Sequence, residues 1–350
     1  MRWSIERFER DLLSGPIDSI AVPSNEILES LDRVEDVLGS EWIKSKGSAK
    51  GLGPAIHIFG TGLRLASLEH LDNTHELIRK LQLNDPSADT ELTAIHLLRS
   101  NNHSVSVELY PSVGSKVADF RVRRPSEEWT TVEVTQAGTS SEHKRIYAIV
   151  GQLVHVFRHV ESAFSLEVIF QREPTEKEIS LLCAGLPELC QRSRQERYSL
   201  INGLGFLFLN HAAVGHLPHS KVPEIATVPM IGLATFFATD RVVSVSIPFA
   251  DKRAEAFLRK EARQLPKSGS GLIMIAGISS AKELGVWKPL IESRFRPSIH
   301  TRVSGVCLFD GGMVQAGNLY SWGIEAHMVS NPYSQSRLPD WIRAVIPFGG

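Results

Sequence analysis

Cysteine is scarce in this 350-residue chain, and Cys183, Cys190 and Cys307 form neither an even set nor a CxxC pair. A disulfide framework and a zinc ribbon are thereby excluded, and so few unpaired thiols suit a reducing cytoplasm. An excess of one charge is lacking too, since 38 lysines and arginines against 39 acids leave a net charge of −1. The global field that draws strongly basic proteins onto nucleic acid is missing, so any such contact has to be local. Nowhere do 18 apolar residues run together, which argues against a membrane-spanning helix. The opening MRWSIERFERDLLSG places Ile5, Phe8, Leu12 and Leu13 on one helical face with charges between them, unlike the apolar centre of a signal peptide.

Several familiar motifs are also absent. The KSKGSAKGLG stretch at 44–53 lacks the GxxxxGK[ST] spacing and reads as a basic loop, and Gly60-Thr61-Gly62 lacks a third dinucleotide-fold glycine and reads as a turn. His211, His216 and His219 stand close in sequence without HExxH or Cys/His spacing, and read as part of a polar loop. No GxSxG elbow or local Cys–His pairing supports a covalent intermediate.

What is present is the composition of a globular α/β protein, 42% hydrophobic and 22% charged. The chain divides into an N-terminal mixed region (1–85), a central region (86–195) and a C-terminal α/β region (196–350). In the first, helices are expected over 25–38 and 68–81, and a strand over 55–59. Asp85-Pro86-Ser87-Ala88-Asp89-Thr90 reads as a boundary and helix cap, with Glu91 in the first turn of the helix that follows. In the last region, strands are expected at 205–209, 242–247, 272–278 and 303–309, with a helix over 252–264.

The central region carries the chemistry. Segments 117–123 (VADFRVR) and 129–135 (WTTVEVT) are rich in β-formers and flank a turn-forming RPSEE, which predicts a hairpin. A turn centred near Ser126 sets Asp119 opposite Glu133. Alternation places Ala118, Phe120, Val122, Val132 and Val134 on one face, and Asp119, Arg121, Thr131, Glu133 and Thr135 on the other. Two facing carboxylates ~5 Å apart repel by roughly 3 kcal/mol at an effective dielectric near 20. A divalent cation removes that penalty, and magnesium accepts as few as one or two carboxylates with water and phosphate. Neutralisation by Arg121 or Arg123 is the alternative. A strand at 105–109 precedes the hairpin, and a helix over about 140–160 and a strand at 165–170 follow it, giving the order αβββαβ.

This order, with Asp119 on one strand and Glu133-Val134-Thr135 on the next, resembles the restriction-endonuclease-like core of the PD-(D/E)XK nuclease superfamily. The resemblance spans about seventy residues from Glu91. It implies that Asp119 and Glu133 bind Mg2+ or Mn2+, with the Val134 carbonyl as a third ligand and Glu91 as an accessory carboxylate. It further implies hydrolysis of phosphodiester bonds, in DNA before RNA, as in restriction, repair or anti-phage defence, by a homodimer or with a partner subunit. Thr135 departs from the pattern, because it stands where the family has a lysine. A hydroxyl can hold a water but supplies no positive charge. Lys144, Lys116 and, if the strand bulges, Gln136 are the candidate substitutes. Lys260 and Gln264, on a later helix, read as exposed helix charge able to approach only from a distance. The departure also supports a different class of function, a nuclease-fold binding or scaffolding subunit that has lost catalysis.

Overall fold

The computed structural model describes residues 2–13, 17–100, 104–113, 116–138, 141–160, 164–191, 197–200, 203–210, 230–236, 242–248, 253–278 and 281–346. The chain forms two compact units, Met1–Gly138 with Lys252–Gly350, and Thr139–Asp251. The three consecutive regions expected from the sequence are thus replaced by one discontinuous unit and one inserted unit. The expected loop holding His211, His216 and His219 lies outside the described residues.

The first unit begins with helices α1 (Ile5–Asp11), α2 (Ser24–Leu38), α3 (Ser40–Lys46), α4 (Leu52–Leu65), α5 (His75–Gln82) and α6 (Pro86–Arg99). Strands β1 (Ser106–Leu109), β2 (Ser112–Val113), β3 (Lys116–Val117), β4 (Phe120–Arg123) and β5 (Thr130–Gln136) follow. The inserted unit holds α7 (Ser141–Arg158), β6 (Ser165–Phe170), α8 (Glu176–Gln191), β7 (Arg197–Ser199), β8 (Gly205–Asn210), β9 (Met230–Phe236) and β10 (Val242–Pro248). The chain then returns to the first unit with α9 (Arg253–Glu261), β11 (Ser270–Ala276), α10 (Ala281–Arg294), β12 (Gly305–Ala316), β13 (Leu319–Ser330) and α11 (Asp340–Val345). Among the described residues, no helix is long and apolar enough to cross a membrane.

Each unit is mixed α/β and has its own sheet. The larger sheet has the order β1-β4-β5-β11-β12-β13, with β1, β4 and β5 antiparallel and β11 parallel to both β5 and β12. One face packs on the N-terminal helices through Phe120, Val122, Val132, Leu272 and Met274. The opposite face packs on α9 and α10 through Ile273, Ile275, Val306 and Leu308. The smaller sheet, β7-β8-β6-β10-β9, has its own core with α7 and α8.

The expected αβββαβ run over 91–170 is corrected here, because β6 pairs with β8 and β10 and never joins β5. The slot beside β5 is taken by β11, residue for residue from Ser270↔Thr130 to Ala276↔Gln136. SLEVIF and SGLIMIA are both buried throughout, so hydrophobicity alone fits either to a central position.

The predicted strand at 55–59 is a second correction, since these residues lie inside α4, which is buried nearly all round. A short apolar run has no period that separates a buried helix from a strand. Gly60 and Gly62 are helical, not a turn, and permit close approach: a Cβ on Gly60 would lie 2.4 Å from the Trp322 ring, and one on Gly62 would lie 2.1 Å from the Ser30 carbonyl oxygen. The helix predicted over 68–81 begins only at His75, after a 3-10 turn at Ala66–Leu68. At α6, Asp85 accepts from the Ser87 amide and Pro86 is the first helical residue, so Glu91 falls in the second turn, and Asp89 takes the first.

Arg64 locks these helices to the sheet. Its side chain is 1% exposed and donates to the Gly60 carbonyl, Thr61 and Thr93 hydroxyls and the Asp89 carboxylate, with its guanidinium 4.9 Å above the Trp322 ring. A buried cation with its donors satisfied tolerates no lost partner. It fixes Asp89 and Thr93 on either side of Glu91.

Gly62→Ala should lose about 2 kcal/mol or more in urea denaturation despite alanine's better helix propensity, because the obstacle is backbone. Gly53→Ala, also in α4 but with nothing within 4 Å, should be neutral or stabilising.

Candidate functional site

The hairpin supplies the centre of the site. Phe120↔Val132, Arg121↔Thr131 and Val122↔Thr130 pair as expected, and Ser126 in the connection has φ 67°. Continuing that register sets Asp119 opposite Glu133, but the ladder ends at Phe120. Asp119 uses its freedom there to bend inward, and its Oδ2 accepts from the Val134 amide at 2.7 Å. A charge-assisted bond of this kind is worth roughly 1.5–3 kcal/mol.

Glu133 points to the face covered by α9, where its parallel neighbour is Ile273. It is 2% exposed, and its Oε1 has no hydrogen-bond partner. Burial first, then Asp119 and Glu261, raise its pKa from 4.5 to about 8, against Lys116 and Lys260. Asp119 is also raised, by burial above all and by Glu261, while the Val134 amide, Lys80 and Lys260 oppose the shift.

Glu91 approaches Asp119 from the α6 side. Tyr110 Oη donates to its Oε2 at 2.7 Å, and Lys80 Nζ reaches its Oε1 at 3.5 Å and Tyr110 Oη at 3.2 Å. Its pKa is nevertheless raised, because burial and the nearby Asp119 outweigh these contacts. Glu91 is therefore held near Asp119 by a tyrosine and a lysine, not by the helix N-terminus.

Lys260 and Glu261 on α9 complete the cluster. Lys260 Nζ lies 2.8 Å from Glu261 Oε1, and Gln264 Nε2 lies 3.4 Å from Glu261 Oε2. Glu261 is buried, and its hydrogen bond to Lys260 is the main reason that the lysine's pKa is raised, with Asp119 and Glu133 adding to it. Lys116 Nζ donates to the Arg263 carbonyl just beyond α9 and also acts on Glu133.

The other expected residues do not all join the cluster. Thr135 shares Glu133's strand face two residues on, opposite Ile275. Gln136 requires a bulge to join them, yet the register with β11 is unbroken through Gln136↔Ala276, so it stays on the opposite face. Lys144 is exposed on α7 in the inserted unit. Val134 contributes its amide to Asp119. Lys260, read from the sequence as ordinary helix charge, is a cation that acts on both Asp119 and Glu133. Lys80, Tyr110 and Glu261 were not anticipated, and only the KEARQ spacing on α9 gave a local signal.

Magnesium or manganese fits this donor set in one respect: two adjacent carboxylates, one with an unpartnered buried oxygen, leave acceptor capacity that a hard cation takes up. Among the described residues, no three His, Cys, Asp or Glu side chains form a cage for a metal by themselves. No known protein family, curated protein or solved structure matches the chain.

Because the folded Glu133 holds a proton that the unfolded chain releases above pH 4.5, its contribution to stability is lost as pH rises from there through about 8. Metal-free Glu133→Gln should melt close to wild type at pH 5 and several degrees above it at pH 8.5. A constant difference across that range would show that Glu133 titrates normally.

Proposed function

We propose that this chain is a metal-dependent phosphodiesterase that hydrolyses DNA with a divergent PD-(D/E)XK-like site. The observation that carries the reading is the convergence of a half-buried Asp119 on a buried Glu133, close enough to raise its pKa, with a Glu133 oxygen unpartnered. The order α6-β1-β4-β5-α9-β11 supports it, because this is the αβββαβ arrangement of the resemblance, with residues 139–251 carried between the third strand and the second helix.

In this reading Asp119 and Glu133 would hold Mg2+ or Mn2+, with Glu91 as the accessory carboxylate, and the ion would supply an activated water and polarisation of a phosphate oxygen. The protein's own residues do the rest. Tyr110 and Lys80 fix Glu91 in one orientation, and the Val134 amide fixes Asp119. Lys260 supplies the positive charge missing at Thr135, steadying the attacking water or the charge that develops on the phosphate. Glu133, whose pKa burial raises, would have to release its proton to serve as a ligand, so metal binding would weaken as pH falls.

A second reading, a binding subunit without catalysis, draws on Thr135 and on the absence of a three-ligand group among the described residues. One assay separates the two. Wild type should cut supercoiled or single-stranded DNA in magnesium or manganese and not in EDTA. Asp119→Ala and Glu133→Ala should abolish cutting while remaining folded, and Lys260→Met should lower kcat by about 100-fold. Adding Thr135→Lys to Lys260→Met should recover part of the loss. Cleavage unaffected by Asp119→Ala or Glu133→Ala would refute the site, and no metal-dependent cleavage at all would favour the binding subunit.

A further inference from the structure

The face of β1 and β4 beside the carboxylates carries a second feature. Val107, Leu109, Phe120 and Val122 are buried on one side, while Ser106, Glu108, Arg121 and Arg123 lie on the other, together with Thr131 and Glu133 of β5. Two guanidiniums meet one indole there, with Arg121 4.6 Å and Arg123 4.4 Å from the Trp129 ring centroid. Arg121 is also paired with Glu108 at 2.6 Å. Arg123 is exposed and has no ion-pair partner among the described residues. Stacking on Trp129 holds the guanidinium plane, and its N–H edge keeps the fork that matches a phosphate.

Position gives this stack its meaning. Arg121 and Arg123 share a face of β4 and follow Asp119, just before the strand, by two and four residues, roughly 7 and 13 Å at ~3.3 Å per residue. This is an offset that a strand of nucleic acid spans within a site of several nucleotides. Arg124 faces the other way, against Trp341, whose indole N–H donates to Glu127, so the end of the hairpin is anchored to α11. The Arg–Trp stack therefore stands on a fixed platform.

We propose that Arg121, Arg123 and Trp129 form a phosphate clamp that grips the backbone of a nucleic-acid strand a few nucleotides from the carboxylates. The substrate is then an oligomer or polymer, not a small phosphodiester. This rests on the phosphodiesterase reading, and it adds the length of substrate that the site requires. Arg123 provides the charge, Trp129 its orientation, and Arg121, already neutralised by Glu108, mainly packing. Contact to the backbone carries no base preference.

The test reads binding apart from catalysis. Affinity for fluorescein-labelled single-stranded DNA of twelve nucleotides and of mixed sequence is measured by anisotropy in EDTA, over a range of salt concentrations. Arg123→Ala should bind about tenfold more weakly, equally for all sequences, with the salt slope reduced by roughly 0.7. Arg123→Lys should recover the slope but only part of the affinity. Wild-type affinity and slope in Arg123→Ala would overturn the clamp, as would the absence of DNA binding by wild type. Binding that depends on Arg123 in a protein that cuts no DNA would uphold the clamp and defeat the phosphodiesterase reading. Metal-dependent cutting with binding indifferent to Arg123 would do the reverse.

Discussion

The bond from the Val134 amide to the Asp119 carboxylate determines the geometry of everything around it. It forms where the β4–β5 ladder stops, so a side chain takes the place of a backbone acceptor and is drawn into the sheet. Asp119 then cannot move away from Glu133, and both carboxylates are held at a separation their charges oppose. Asp119 is among the charges that raise the pKa of Glu133, and Glu261 raises the pKa of both. Burial contributes most to those shifts, and Glu133 lies on the sheet face that α9 covers, so the helix and the hairpin act together.

Cations surround the carboxylates without cancelling them. Lys80 serves Glu91, Lys116 is engaged with the Arg263 carbonyl, and Lys260 is paired with Glu261. Glu133 still has an oxygen without a partner. A protonated Glu133 carries no charge for a lysine to cancel, yet its unpartnered oxygen still costs stability in a buried setting. Local inconsistency of this kind is expected where a site gives up stability for function.

The hairpin was legible in the sequence because two alternating strands flanked a turn whose centre fixed the pairing. The helix carrying Glu91 was legible through Asp85 and Pro86, although its start was placed too late. What could not be read was which distant strand completes the sheet. Residues 139–251 separate β5 from β11, and β6 offered an equally apolar strand much nearer in sequence. A sheet completed by β6 would set α7 and its Lys144 beside the hairpin, whereas the pairing with β11 sets α9 and its Lys260 there. The α4 error has a different cause, a short apolar run with no period to reveal that it is helical.

The insertion also bears on Thr135. In the proposed reading, the residue two after Glu133 no longer has to be a lysine because α9, the helix that leads into β11, lies over Glu133's face of the sheet and brings Lys260 to it. A charge delivered from a helix reaches the carboxylates from across the sheet surface, whereas one at position 135 would lie along the strand beside them. The space beside Glu133 on β5 is then occupied by a small hydroxyl opposite Ile275. That exchange keeps the cation while freeing the strand face, and it makes the site depend on contacts between segments more than a hundred residues apart. Motif spacing cannot record such a dependence, because the residues that share the work no longer share a strand.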